Sequence, residues 1–317
     1  MSFRDYTPIL KLVFVSIFFA RFTAAFPLAH AHSPSLSTGQ TTEVNSDFVS
    51  ANLLRPALFT RAIYCGKNQV TKWVCEPCKA LGSDIHVIKW GGDNNAVPNY
   101  IIAHDNSTNT IVVAHRGTST KSFLSMFNDV QIKHVDLDKS IFKQPAKIRV
   151  HYGFQNTFKH TASDVLTEVK EALAEYKSQS VLIAGHSLGA TIATLDAVML
   201  REQLDPSVKI TVVVFGLPRM GNEQWANYVD STIGPGFHRV TDRKDPVVNL
   251  PPQLLHYHHP SGEIHIEDVN TAGQATKVVK CPGQENIHCS AGNSVIHAIL
   301  LNHRGPYFEN ISFKCKK

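Results

Sequence analysis

Apolar positions along this chain fall into two rhythms. Short strand-like blocks occur at 100–103, 110–115, 148–152, 181–184, 210–215 and 237–241, some of them unbroken, such as Ile111-Val112-Val113-Ala114 and Val181-Leu182-Ile183-Ala184. Blocks this short and this rich in β-branched residues predict strands. Longer stretches at 158–176, 191–204 and 222–229 space their apolar residues at helical intervals instead. The early strands follow one another directly and the later ones alternate with helices. That order predicts the α/β class, a mixed and mostly parallel central sheet with helices on both faces. No linker rich in Pro, Gly and Ser follows residue 45 and no segment repeats, so 46–317 reads as a single domain.

The N-terminus departs from both rhythms. Arg4 and Lys11 flank the run Leu12-Val13-Phe14-Val15-Ser16-Ile17-Phe18-Phe19-Ala20, which is too short to cross a bilayer comfortably and ends at Arg21. Small residues follow, with cleavage positions after Ala25 and after Ala31. Residues 1–31 therefore read as a secretory signal peptide, and the Ser- and Thr-rich 32–45 as a flexible N-terminal segment. The expected location is extracellular, with no transmembrane segment in the mature chain.

One strand-like block runs into Gly185-His186-Ser187-Leu188-Gly189, and a helical pattern begins directly after it. A serine on a tight strand-to-helix turn projects its hydroxyl where a histidine can reach it. Glycines at both flanks leave room for such an elbow. The N–H of Leu188, the next residue, would face the oxyanion formed when Ser187 attacks a carbonyl. Gly-x-Ser-x-Gly also occurs by chance, but the strand and helix around this single match favour a nucleophile.

Composition excludes other classes. The net charge of +5 falls to +3 when 1–31, with three cations and one anion, is set aside, and no block of like charge argues for nucleic acid. The six cysteines, Cys65, Cys75, Cys78, Cys281, Cys289 and Cys315, suit an exported chain with full pairing. Cys75-x-x-Cys78 reads there as a small structural bridge rather than a redox pair. Asn106-Ser107-Thr108 and Asn310-Ile311-Ser312 make Asn106 and Asn310 candidate glycosylation sites. No metal site and no cofactor is expected.

A serine nucleophile needs a base and an orienting acid, ordered Ser, Asp/Glu, His in this type of fold. Asp196 lies in the nucleophile's own helix and is expected to point along it. Asp205 and Asp230 read as caps. Asp242 and Asp245 follow a strand at the sheet edge where Ser187 emerges; Asp245, backed by Pro246-Val247-Val248, is expected to be held and Asp242 to stay solvated. The base stays open among His256, His258, His259, His288, His297 and His303. His297 sits in the apolar run 295–301 and reads as core, whereas His303 falls in a turn marked by Gly305-Pro306.

Taken together, these segments resemble the secreted fungal class 3 lipases, the filamentous-fungal group of α/β-hydrolases. Val112-Val113-Ala114-His115-Arg116-Gly117-Thr118 is similar to that family's oxyanion segment, and Val150-His151-Tyr152-Gly153-Phe154 to its His-x-Gly-Phe signature. Val214 to Asn222, Asp245-Pro246-Val247-Val248 and His303 with Tyr307-Phe308 resemble its later segments, in order over roughly 60–310. The resemblance implies a triad of Ser187, Asp245 and His303, with Thr118 beside Leu188 as the second oxyanion donor. It implies a helical lid just after the oxyanion segment, where Phe123, Leu124, Met126 and Phe127 group on one face of a helix. Because the family ties its termini together, it also implies Cys65–Cys315, alongside Cys75–Cys78 and Cys281–Cys289.

The implied function is hydrolysis of acylglycerol esters at an oil–water interface through an acyl-enzyme. A soluble-substrate esterase of the same family, acting on feruloyl or acetyl esters, is the alternative. A non-catalytic lipid-binding relative is a third reading, disfavoured by the intact Ser187, Asp245 and His303.

Overall fold

The computed structural model describes residues 36–93, 97–118, 123, 125, 131–143 and 147–315. A nine-stranded sheet spans the molecule in the order β1-β11-β10-β9-β8-β7-β4-β3-β2. Its strands are β1 (Thr42–Glu43), β2 (Ile85–Gly91), β3 (Tyr100–Asp105), β4 (Thr110–His115), β7 (Ser180–His186), β8 (Lys209–Phe215), β9 (Phe237–Asp242), β10 (Glu263–Val269) and β11 (Ala275–Cys281). The central five, β4 and β7 to β10, are parallel, and the flanking pairs are antiparallel. The expected run at 148–152 forms β6 (Arg149–His151), which pairs with β5 (His134–Asp136) in a separate ribbon outside the main sheet.

Strand alternation fills two cores, one on each face. Ile111, Val113, Val181, Ile183, Val212 and Val214 face one way, against helices α5 (Tyr152–Lys159), α6 (Ala162–Glu175), α7 (Leu188–Gln203) and α8 (Glu223–Thr232). Val112, Ala114, Leu182, Ala184, Val213 and Phe215 face the other way. That face is covered by a helical run that the sequence analysis does not predict. Here α1 (Ser46–Val49) passes through a wide turn at Ser50–Leu54 into α2 (Arg55–Ala62), with Leu53, Ala57, Phe59 and Ile63 inward. Two short helices follow, α3 (Lys67–Thr71) and α4 (Glu76–Leu81), and the C-terminal Tyr307, Phe308, Ile311 and Phe313 complete this core.

The other departures have local causes. The helix expected at 158–176 breaks at His160-Thr161 into α5 and α6. The segment expected to be a flexible lead-in is held from residue 36 onward. Ser37 exchanges backbone bonds with Glu285 and Ile287 at 2.7 and 3.0 Å, and β1 pairs with β11. Polar composition had signalled flexibility, but unpaired strand edges accept any backbone. The signal-peptide segment 1–31 lies outside the described residues.

Candidate active site

Ser187 stands between β7 and α7 with φ 58° and ψ −125°, a conformation unusual for a residue with a Cβ. Packing forces the flanking glycines. A Cβ at Gly185 would lie 2.3 Å from the Gly189 carbonyl oxygen, and one at Gly189 would lie 2.5 Å from that of His115. The Ser187 N–H donates to Phe215 O on β8 at 3.0 Å, which locks the elbow to the neighbouring strand. Leu188 is the first residue of α7, so its N–H has no helical partner and joins the positive end of the helix.

β9 leads into Asp245. Asp245 is 1% exposed; one carboxylate oxygen accepts from the Val247 N–H at 2.8 Å and the other lies 2.8 Å from His303 Nδ1. That leaves His303 Nε2 buried and without a hydrogen-bond partner among the described residues. His303 packs so closely on the end of β8 that a Cβ at Gly216 would come within 2.8 Å of its ring. Gly216 directly follows Phe215, the anchor of the Ser187 N–H. The two side chains therefore converge on one strand end although 116 positions separate them.

Asp242 is not solvated as the sequence analysis expects. It is fully buried and paired with Arg243 at 2.8 and 2.9 Å, and burial pushes its carboxyl up to about 6. The last strand residue faces inward, and the flexible guanidinium follows it. Asp196 does reach a histidine, contrary to expectation, but it is His115 at the end of β4, at 2.6 Å, not His303. His297, expected in the core, is exposed on a short turn. Of the other base candidates, His259 is buried, its ring 2.7 Å from Val248 O, and burial drives it down to about 3; His288 is exposed.

Two contributors escape a motif reading. His186 Nε2 lies 2.7 Å from His303 O, and a carbonyl only accepts, so Nε2 carries the proton. His186 Nδ1 then accepts from the Tyr64 hydroxyl at 2.7 Å, and that hydroxyl in turn accepts the Gly117 N–H at 3.0 Å. Burial holds His186 well below its ordinary pKa and raises Tyr64 to about 12, so both stay neutral. The chain of bonds ties the Gly117 segment, the elbow and the His303 backbone together. Nothing near Tyr64 in the sequence marks it, whereas His186 lies inside the motif and was passed over.

Gly117 runs beside Ser187, since a Cβ there would be 3.0 Å from that of Ser187, which sets half-buried Thr118 at the same edge. Phe123 is 2% exposed with its ring centroid 6.1 Å from that of His303. Leu124, Met126 and Phe127 lie outside the described residues. Disulfides join Cys65 to Cys315, Cys75 to Cys78 and Cys281 to Cys289. Glu263, Cys281 and Cys289 are spaced like metal ligands, but both sulfurs are committed to the disulfide. Asn106 and Asn310 are exposed at turns. No helix among the described residues is long and apolar enough to cross a membrane.

A buried serine at a strand–helix elbow, a carboxylate-held imidazole with a free second nitrogen, and the Leu188 N–H at the helix start alongside make a site suited to nucleophilic acyl transfer. Comparisons agree. Residues 112–255 match the family model described as Lipase (class 3). The secreted mono- and diacylglycerol lipase MDL2 of Malassezia globosa is 32% identical over 260 residues, 81% of this chain and 80% of that protein. A crystal structure of lipase from Rhizopus microsporus var. chinensis is similar with TM-score 0.74 at 27% identity, covering 92% of this chain and 98% of the other. A structure described as a serine protease triad forming the catalytic centre of a triacylglycerol lipase matches with TM-score 0.71 at 26% identity, over 86% and 99% of the two chains.

Proposed function

We propose, from the premise that this chain belongs to the class 3 lipase family and is a carboxylic ester hydrolase of the α/β-hydrolase fold, that Ser187, His303 and Asp245 are its catalytic triad. Ser187 Oγ attacks the ester carbonyl while His303 Nε2 takes its proton. Asp245 holds Nδ1–H and stabilises the imidazolium. The N–H of Leu188 and the Thr118 segment receive the oxyanion. The alcohol leaves with the proton from His303, and water, activated by the same base, hydrolyses the acyl-enzyme. The observation that carries this reading is the Asp245–His303 contact at 2.8 Å with Nε2 left free at the end of the strand that anchors Ser187.

The enzyme acts as a secreted serine lipase. Acylglycerols are its substrates, with mono- and diacylglycerols placed first because the 32%-identical relative is named for them. Phe123, packed against His303, supports a cover over the site whose opening uncovers apolar side chains to lipid. The test is hydrolysis of a short-chain ester below and above its solubility limit. A steep rise once droplets form is expected of a lipase. Equal specific activity on both sides would move the soluble-esterase reading to first place. Signal cleavage after Ala25 or Ala31 and glycans at Asn106 and Asn310 belong to the same proposal and are read by mass spectrometry of the secreted protein.

A further inference from the structure

Strand β10 carries a polar stripe. Ile264 and Ile266 point into the core beneath the N-terminal helical run, so alternation puts Glu263, His265 and Glu267 on the opposite side. Glu263 is fully buried and paired with Arg239 at 3.0 Å; burial alone would raise its carboxyl, but Arg239 keeps it below the usual range. A charged carboxylate only accepts. The Thr241 hydroxyl, 2.7 Å away, therefore gives Glu263 its single proton. Thr241 Oγ1 also lies 2.7 Å from His265 Nδ1, toward which it has only a lone pair to offer. The proton of His265 is thus on Nδ1, and Nε2 is a bare acceptor. Burial holds this imidazole below its ordinary pKa, so it stays neutral.

His265 lines a cavity of about 510 Å³, together with Lys244, Asp268, Ile299 and Asn302. Two of these side chains are buried yet unanswered. His265 and Asn302 are each 5% exposed, and neither His265 Nε2 nor the Asn302 side-chain amide has a hydrogen-bond partner among the described residues. Neither is sealed inside the protein, and the cavity is the space that both border. Buried polar side chains are nearly always answered, so two in one cavity mark a place for a ligand. The charges there balance. Arg243 is held by Asp242 at 2.8 and 2.9 Å and Glu267 by Lys277 at 2.5 Å, which leaves Lys244 and Asp268, one of each sign. Among the described residues no three His, Cys or carboxylate groups of this lining converge as a metal ion requires.

We infer that this cavity is a binding site for a neutral polyol, with His265 Nε2 accepting one hydroxyl and the Asn302 amide pairing with its neighbour. Every hydroxyl both donates and accepts, so a vicinal diol meets a locked acceptor and an amide at once. Lys244 and Asp268 serve the outer hydroxyls, and Ile299 meets the C–H side of the ligand. The volume lies in the range of small-molecule sites, roughly 300–1,000 Å³. Two sources share this chemistry: glycerol, which complete hydrolysis of an acylglycerol releases, and a hexose of a surface glycan. Only the first depends on the lipase reading. The site is separate from Ser187, although Lys244 and Asn302 adjoin Asp245 and His303 in the chain.

The experiment uses the full mature chain with isotope-labelled histidine, and reads the Nε2 resonance of His265 by NMR. The resonance is assigned by its loss in His265→Gln. Glycerol, methyl glucoside and propanol, which lacks the diol, are titrated in turn. A polyol site gives a saturable shift of this resonance, with half-saturation on the order of millimolar for so small a ligand. Propanol should leave it in place. Asp268→Ala, at an exposed position, should raise the half-saturation by about threefold or more. It also keeps the test open if His265→Gln fails to fold, because the shifting resonance is then followed through Asp268→Ala alone. Saturation by glycerol with no response to the glucoside assigns the released alcohol as ligand, and tighter saturation by the glucoside assigns a glycan. A shift that never saturates, an equal response to propanol, or unchanged half-saturation in Asp268→Ala overturns the site. Saturation by zinc ion in place of either polyol overturns it as a polyol site. Failure of the lipase reading is separate: wild-type protein would then hydrolyse no ester, whatever this titration shows.

Discussion

Between residues 180 and 203 almost every backbone group belongs to β7 or α7, and from Ser180 to Leu200 nearly every residue is buried. From residue 282 to 315 the chain forms no helix beyond short turns and no long strand, yet it carries His303 to the same point. The first region is held by ladder hydrogen bonds and apolar packing, which any core of this size supplies. The second is held by long-range ties. These are the Cys65–Cys315 and Cys281–Cys289 disulfides, the fully buried Arg219–Glu285 pair at 2.8 Å, and Phe313 stacked 4.4 Å from His186. A serine on a regular elbow is thus over-determined, whereas the histidine depends on a few discrete links.

That difference orders the expected effects. Ser187→Ala should lower kcat by roughly four to six orders of magnitude and leave the thermal midpoint nearly unchanged, since the elbow is packed around it rather than by it. Asp245→Asn should cost on the order of 10⁴ in kcat, by analogy with other triads, because the amide favours the wrong imidazole tautomer. Both are measured on a dissolved ester, with circular dichroism as the folding check. A Ser187→Ala protein keeping a tenth of wild-type turnover would move the nucleophile elsewhere. Asp242→Asn, although buried, should leave kcat far less affected than Asp245→Asn, and a reversal would exchange the two.

How much the sequence discloses follows the same division. The elbow, the parallel strands and their two-sided burial are local patterns, and periodicity exposes them. Asp245 was separable from Asp242 by its following Pro-Val-Val, although Asp242 proved buried too. His303 could not be chosen from six histidines without the family resemblance, because its place comes from contacts 58 and 117 residues away. The helical run from residue 46 was missed because polar residues interrupt its apolar ones. The turn that carries His297 does not read as exposed, because apolar composition does not say that Ile296, Leu300 and Leu301 face out.

The C-terminal arm, residues 282–315, should fail before the bed formed by the central sheet and its helices. Breaking Cys65–Cys315 by a Cys→Ser pair removes a 250-residue tie, worth about 5 kcal/mol in the chain-entropy model. Denaturant unfolding read at the active site, by loss of turnover, should then precede loss of the sheet signal. Coincident transitions would mean that the arm and the bed form one cooperative unit. Glu285→Gln leaves Arg219 buried without its charge partner and should destabilise by about 3–5 kcal/mol. Burial alone would raise the Glu285 carboxyl, but Arg219 carries it down to about 2. The stability it contributes is therefore complete above its unfolded pKa near 4.5 and is lost as pH falls through about 2. Acid titration of the wild type should show this component, and Glu285→Gln should lack it.

The smallest expected effect falls where the two regions touch. Tyr64 belongs to neither the elbow nor the arm, yet its hydroxyl accepts the Gly117 N–H and donates to His186, whose other nitrogen holds the His303 backbone. Tyr64→Phe keeps the ring against Phe313 and the guanidinium of Arg116 over its face. It removes only the hydroxyl, leaving a buried N–H and a buried imidazole nitrogen each short of a partner. An unsatisfied buried group costs roughly 1–3 kcal/mol, part of which the oxyanion segment recovers by shifting. A fall in kcat of about tenfold is expected, with KM on a dissolved ester little changed, because donors misplaced by a fraction of an ångström are felt in the transition state and not in binding. The pH–rate profile should keep its shape, since Tyr64 titrates only near 12 and His186 stays neutral. If Tyr64→Phe instead raises KM alone, the hydroxyl lines the substrate groove. If it lowers stability with kcat intact, the bond chain braces the fold and the site is aligned by the strands alone.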